Sequence, residues 1–440
     1  MLKKERRNVA ILGAAGRDYH NFMTKYKDNP YYDVKFFTAA QIPGIEKRSF
    51  PRKLAGRLYK KDIPIFSEEK LPELIKKYDI NDVVFSYSDI SHIEVMHKAS
   101  IALTNDANFV LLGPKDTMIK SKRKIISICA VRTGSGKSPT SRKIAEILKN
   151  YQKKVVAIRH PMPYGDLIKQ KCQRYGEYSD LKKHNCTIEE REEYEPWIKM
   201  GIPIYSGIDY LEIIKKAEKE AEIIIWDGGN NDFPFYVPDL HVVVVDPHRA
   251  GHELLYHPGE MNFRMADVIV INKIDTAPKQ GIKTIEENIK KVNPKAIVIK
   301  AESKIIVSDK NLLKGKRTIV VEDGPTLTHG GMGFGAGYIA AKRNKATIIS
   351  PRRYAVGSIK KIYEKYKQVE NVLPAMGYGK KQIKELEKTI NKAKCDVVVD
   401  ATPVNLSRII KINKPIVRVE YVLKERGLSL ESVLKKWRLI

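Results

Sequence analysis

Ile125-Ile-Ser-Ile-Cys-Ala-Val131 is an apolar run of strand character, and it leads straight into Arg132-Thr133-Gly134-Ser135-Gly136-Lys137-Ser138 and a helical stretch, Thr140 to Lys149. Strand, glycine loop and helix in that order form the context in which a loop grips phosphate. Backbone N–H groups freed by glycine point at the phosphates, and the helix N-terminus adds partial positive charge. Lys137 is expected to reach the terminal phosphates and Ser138 to ligate Mg²⁺. The nucleotide-binding set read here is therefore Arg132 to Ser138, with Lys137 catalytic.

The common GxxxxGK(S/T) pattern would need glycine at position 131, where valine stands. The match is to the variant xxGxGK(S/T), opened by a basic residue, which dimeric nucleotide switch and transfer proteins carry. A homodimer is expected by that analogy. An acidic residue should follow another apolar strand to hold Mg²⁺, and Ile223-Ile-Ile-Trp-Asp227-Gly-Gly meets the requirement. Asp227 is assigned to the metal and to catalysis. Val268-Ile-Val-Ile-Asn272-Lys273-Ile274-Asp275 resembles the NKxD element of GTPases, in which the Asp carboxylate accepts two hydrogen bonds from guanine and the Lys stem packs on the base. Asn272, Lys273 and Asp275 join the nucleotide-binding set.

Working outward, short apolar strands alternate with amphipathic helices from end to end, the pattern of parallel α/β sheets. Three parts are expected: a Rossmann-like domain over 1–122, a P-loop NTPase domain with a mainly parallel sheet over 123–302, and a C-terminal α/β domain for substrate or partner over 303–440. The chain of 440 residues is too long for one core, and 42% hydrophobic residues suffice to fill several. Four scattered cysteines form no CxxC pair, which reads as a reducing cytoplasm rather than a disulfide scaffold. No run of about 18 apolar residues spans a membrane. The formal charge of +28 raises local anion concentration, but the lysines are spread through mixed-sign helices without aromatic-interleaved basic tracts. Nucleic acid is not the expected partner; a small phosphorylated anion is.

Candidates for gripping that anion lie at strand ends. Arg159-His160 follows one strand, with Asp166 and Glu193 as candidates to orient a nucleophile or metal-bound water. Asp246-Pro-His248-Arg249-Ala-Gly-His252-Glu253 follows another. It is open to reading as a metal cluster, but His248 and Arg249 are preferred as phosphate ligands, Arg249 also neutralising the transferring phosphoryl. In the third domain Asp323 precedes Thr328-His329-Gly330-Gly331-Met-Gly-Phe-Gly-Ala-Gly337. Asp323, His329, Gly330, Gly331 and the nearby Arg352 are expected to frame an anion site. Gly13-Ala-Ala-Gly16 is only a partial dinucleotide fingerprint.

The loop Arg132 to Ser138, Arg159-His160-Pro161, Asp246-Pro-His-Arg249, Val321-Glu-Asp-Gly-Pro-Thr-Leu-Thr-His-Gly-Gly331, Val372-Leu-Pro-Ala-Met-Gly-Tyr-Gly379 and Asp400-Ala-Thr-Pro403 together resemble the archaeal cyclic 2,3-diphosphoglycerate synthetase-like family, which includes predicted GTPases. The resemblance covers roughly 125–440. It implies an enzyme that uses ATP with Mg²⁺ and potassium to close an intramolecular phosphoanhydride on 2,3-diphosphoglycerate, a solute of thermophilic methanogens. The Gly13–Gly16 domain looks more like a CoA-binding Rossmann domain than that family's own N-terminus, and Asn272 to Asp275 favours GTP over ATP. Two readings follow: phosphoryl transfer that activates a small phosphorylated acid, or a GTPase acting as a switch or delivery protein.

Overall fold

The computed structural model describes residues 6–14, 16–39, 48–160, 162, 165–229, 232–328, 331–375 and 380–440. The N-terminal part is a six-stranded sheet in the order Ser49–Phe50, Ile63–Ser67, Tyr32–Ala39, Arg7–Leu12, Asp82–Phe85, Asn108–Leu111. All its pairings are parallel except the short edge strand Ser49–Phe50 on Ile63–Ser67. Its strands are apolar on both faces because helices cover both, as parallel sheets require.

The remainder of the chain builds one thirteen-stranded sheet. Strands Val155–Arg159, Ile223–Asp227, Lys124–Ala130, Leu240–Val245 and Val268–Ile271 lie side by side and parallel, and Ile297–Val307 extends them. This last strand runs through position 302, where a domain boundary was expected, and pairs antiparallel with Ile416–Arg426. Val397–Ala401 and Arg317–Asp323 then continue the sheet, parallel to Ile416–Arg426.

Register decides what this junction does. Val268–Ile271 pairs with Ile297 to Lys300, at the start of the long strand, whereas Val398 to Asp400 pairs with Ile416 to Arg418, beyond its far end at Val307. The third set of strands is thus displaced along the ribbon and runs in the opposite direction. Two parallel sheets consequently meet carboxyl edge to carboxyl edge, with the ribbon as one wall between them. Ligand sites of parallel sheets lie outside such edges, so here two candidate edges share one space.

The N-terminal domain docks on the P-loop part through Ile90–Ser91, which pairs with Tyr256–His257, and through His20, stacked on Phe235 at 3.9 Å. Gly16 serves this contact, since a Cβ there would sit 2.6 Å from the His160 ring. Of the partial fingerprint, Gly16 is explained by packing between domains and Gly13 by its φ of +107° and the Asp18 carboxylate 2.6 Å from where a Cβ would lie. Among the described residues no helix is long and apolar enough to cross a membrane.

Candidate functional site

The phosphate loop has the conformation its glycines predict. Gly134 and Gly136 take φ values of +80° and +111°, a region that glycine enters without steric penalty. Gly136 is constrained twice over, because a Cβ there would lie 2.0 Å from the Asn272 side-chain nitrogen. Asn272 Nδ2 donates to the Ser135 carbonyl at 2.9 Å, and Lys273 Nζ donates to the Gly134 carbonyl at 2.7 Å and to Asp246 at 2.8 Å. The NKxD element therefore braces the loop from the neighbouring strand. Asp275, at its end, is exposed and accepts the Ser303 N–H at 3.2 Å.

Behind the loop, Asp227 collects three donors. Lys137 Nζ lies 2.5 Å from Oδ1, the Ser141 hydroxyl donates to the same oxygen at 2.8 Å, and Trp197 Nε1 reaches Oδ2 at 3.3 Å. Arg159 adds a guanidinium 3.7 Å from Oδ2 while bonding the carbonyls of Asp227 and Gly228. Burial alone would raise the Asp227 carboxyl, but Lys137 and Arg159 outweigh it and hold it below its ordinary range. Lys137 is itself lowered, by burial first and by Arg159 second. The carboxylate assigned to Mg²⁺ is thus paired with the loop lysine.

Several expected anion ligands are placed elsewhere. Arg132 turns its guanidinium away from the loop onto Asp89, His252 and the Tyr256 ring. His160 is pinned between Gly16 and Gly229 and bonds Asp232 at 2.9 Å. Arg352 reaches the Tyr363 carbonyl, in a different part of the third domain from the strand edge. Asp166 caps a turn through Ile168 and Lys169. Arg249 is well placed: it pairs with Asp246 at 3.0 Å and approaches the Ser135 hydroxyl at 3.4 Å. His248, bonded to Thr276, lines the cleft in front of the loop, which Arg249 does not border. His252 and Glu253 do not join Asp246 in a metal cluster. Glu253 accepts from Gly251 and Asn288, and no group of metal-ligating side chains forms among the described residues.

The glycine-rich segment of the third domain differs most from expectation. His329 and Gly330 lie outside the described residues. Downstream, the Glu322 carboxylate accepts the N–H groups of Gly335 at 3.1 Å and Tyr338 at 2.9 Å, at the start of helix Ala336–Arg343. Its Oε2 would meet a Cβ on Gly335 at 2.5 Å. The protein's own carboxylate thus fills the nest foreseen for a bound anion. Burial dominates its titration and raises it to about 8, although those N–H groups oppose the shift.

A cleft of about 1340 Å³ separates the two carboxyl edges. Gly134, Lys137 and Ser138 line one side, and Asp323, Glu322 and Thr326 line the other. Contact is close, since a Cβ on Gly134 would lie 3.1 Å from the Thr326 methyl. Helix Ile188–Lys199 closes a third side with Glu192 and Glu193, the latter paired to Arg159 at 2.6 Å. The far wall carries carboxyl groups at Glu322 and Asp323 together with the guanidinium groups of Arg408 and Arg418, while Arg352 is not part of it. Glu192 and Glu322 were not singled out at all. The available signal was Glu189-Glu190-Arg191-Glu192-Glu193 within a stretch that also carries Tyr194 and Trp197, since carboxylates are seldom buried unless paired.

A family model described as "Cyclic 2,3-diphosphoglycerate synthetase, P-loop domain" matches residues 205–302. Arginine synthetase ArcE of Thermococcus kodakarensis is 60% identical over 439 residues, covering 99% of this chain and 98% of that protein. Cyclic 2,3-diphosphoglycerate synthetase of Thermococcus sibiricus is 30% identical over 125 residues, 27% of this chain and 28% of that one. The crystal structure of LpxK from Aquifex aeolicus in complex with ATP aligns with a TM-score of 0.42 at 13% identity, over 84% of this chain and 98% of that one. The resemblance read from the motifs is thereby borne out.

Proposed function

Since the chain belongs to the family of arginine synthetase ArcE, whose members are P-loop enzymes dependent on a nucleoside triphosphate, we propose that it forms arginine at the expense of the γ-phosphate of a nucleotide held by Arg132 to Ser138. The observation that carries this reading is the carboxyl-bearing wall. Glu192, Glu193, Glu322 and Asp323 line the space in front of Lys137. Asp323 is the member ionised near neutral pH, Glu193 is paired with Arg159, and burial holds Glu192 and Glu322 toward the neutral acid, so this wall offers oxygens that accept from the N–H groups of a ureido or guanidinium end.

The chemistry is that of replacing a ureido oxygen by nitrogen. The oxygen attacks the γ-phosphorus, the bond to the β-phosphate bridge breaks, and the nucleoside diphosphate departs. Ammonia then attacks the activated carbon, the carbon–oxygen bond breaks, and orthophosphate leaves with that oxygen while the nitrogen sheds a proton. In this scheme Lys137, released from Asp227, and Arg249 beside Ser135 neutralise charge on the moving phosphoryl. Ser138, lining the cleft next to Lys137, offers Mg²⁺ the hard oxygen it takes alongside phosphates. The ion, when bound, supplies further neutralisation. Asp227 acts as the store of Lys137.

Asn272 and Lys273 brace the loop at the Ser135 and Gly134 carbonyls, with Asp275 following them in the chain, so ATP and GTP are both to be tried. We keep the homodimer expected by analogy with the loop variant; Arg132, which opens that loop, pairs with Asp89 of its own chain. We set the reaction in the cytoplasm, in keeping with four free cysteines. The test is product analysis. Purified protein with ATP or GTP, Mg²⁺, ammonium and the ureido counterpart of arginine should yield arginine and orthophosphate. Absence of arginine with both nucleotides, together with a cyclic product from 2,3-diphosphoglycerate, sinks the proposal in favour of phosphoanhydride closure. Slow GTP hydrolysis indifferent to every acceptor sinks it in favour of a switch protein.

A further inference from the structure

Glu192 is 5% exposed, lines the cleft, and leaves its Oε1 without a hydrogen-bond partner among the described residues. Glu189, Glu193, Asp323 and Asp400 are near enough to act on its titration. Two of these are neutralised: Glu193 by Arg159 and Asp400 by Arg418, each at 2.6 Å. Asp323 accepts the Thr326 hydroxyl at 2.6 Å and the Thr326 backbone N–H, and no lysine or arginine among the described residues pairs with either Glu192 or Asp323. Burial pushes the Glu192 carboxyl well above its ordinary range and Asp323 up to about 6.

Burial therefore holds Glu192 as the neutral acid until a cation arrives to stabilise its ionised form. In a chain with a formal charge of +28, cations to neutralise it are abundant. Two carboxylates kept free of them, at the wall facing a phosphate loop, lack the partner that a cationic ligand would bring.

We propose that Glu192 and Asp323 form a subsite for a nitrogen cation, taking the ammonium donor and, after reaction, the guanidinium nitrogen it becomes. The inference rests on the arginine-forming reading for the identity of the reaction, but its geometry does not depend on turnover. Carboxylate oxygens accept from ammonium and, in pairs, from the fork of a guanidinium. One subsite can hold the same nitrogen before and after the carbon–nitrogen bond forms, aimed across the cleft at the carbon activated by the loop nucleotide.

The experiment is calorimetric titration of the full-length protein with guanidinium chloride, ammonium chloride and L-arginine at millimolar concentration, with tetramethylammonium chloride as an ionic-strength control. Wild type should bind the first three and not the control. Glu192→Gln and Asp323→Asn, which keep shape and remove charge, should each weaken guanidinium and arginine by roughly tenfold or more while nucleotide binding and melting temperature hold. Unchanged affinity in both variants overturns the subsite, as does wild-type binding that fails to distinguish guanidinium from tetramethylammonium. If one variant loses nucleotide binding, the other variant and the wild-type comparison still decide. Wild type that binds guanidinium through Glu192 yet makes no arginine keeps the subsite and removes the arginine reading. Arginine formation with an unchanged KM for ammonium in both variants does the reverse.

Discussion

The Arg132 guanidinium lies 2.5 Å from Asp89, so the residue that opens the phosphate loop is held by the N-terminal domain, with the two side chains only 8% and 7% exposed. Asp89 takes a positive φ of 63° to reach it, and the Tyr256 ring covers the guanidinium at 3.7 Å. The N-terminal domain is thereby tied to the nucleotide loop through one buried ion pair. Removing one partner of such a pair strands the other. Asp89→Ala is expected to lower unfolding stability by about 3–5 kcal/mol and to loosen nucleotide binding. Chemical denaturation and nucleotide titration of the same variant check both. A variant as stable as wild type would show that the Ile90–Ser91 pairing with Tyr256–His257 and the His20–Phe235 stack hold the domains without this pair.

Lys137→Ala should cut turnover by roughly 10²–10³-fold and leave the fold intact, because Asp227 keeps Ser141, Trp197 and Arg159 as partners. Circular dichroism and steady-state kinetics separate the two effects. Full activity in this variant would remove the loop from the chemistry.

Asp275→Ala tests the base. If guanine is held as the NKxD resemblance implies, loss of two charge-assisted hydrogen bonds weakens GTP by roughly ten- to a hundredfold and spares ATP. Asn272 and Lys273 still brace the loop in this variant, so a global collapse is not expected. Equal effects on the two nucleotides refute guanine specificity.

Glu322 makes stability depend on pH in a definite direction. Its carboxyl is raised from 4.5 to about 8 in the folded protein, so between those values the folded state binds more protons than the unfolded chain. The favourable contribution is fully present below about 4.5 and is lost as pH rises through about 8. Glu322→Gln retains an oxygen for the Gly335 and Tyr338 N–H groups and removes the titration. Melting temperature should therefore fall less steeply from pH 5 to pH 8 in the variant than in wild type. Parallel curves would mean that Glu322 is ionised throughout.

Local pattern alone disclosed the strands that carry the loop, Asp227 and Asn272, because parallel strands buried on both faces are apolar runs whatever surrounds them. It disclosed the loop too, since glycine at 134 and 136 and lysine at 137 do their work within a few residues of one another. It could not disclose which residues stand on the opposite wall. That depends on Ile297–Val307 pairing antiparallel with Ile416–Arg426 and displacing the third set of strands along the ribbon, a contact between segments more than a hundred residues apart. Only this register brings Asp323 and Glu322 to the cleft that Lys137 lines, and only the helix Ile188–Lys199 packed beside them adds Glu192. From the glycines near position 335 an empty anion nest was a fair inference. Tertiary structure decided otherwise by placing Glu322 on their N–H groups, because short-range sequence shows which donors a backbone can offer and not which acceptor the fold brings to them.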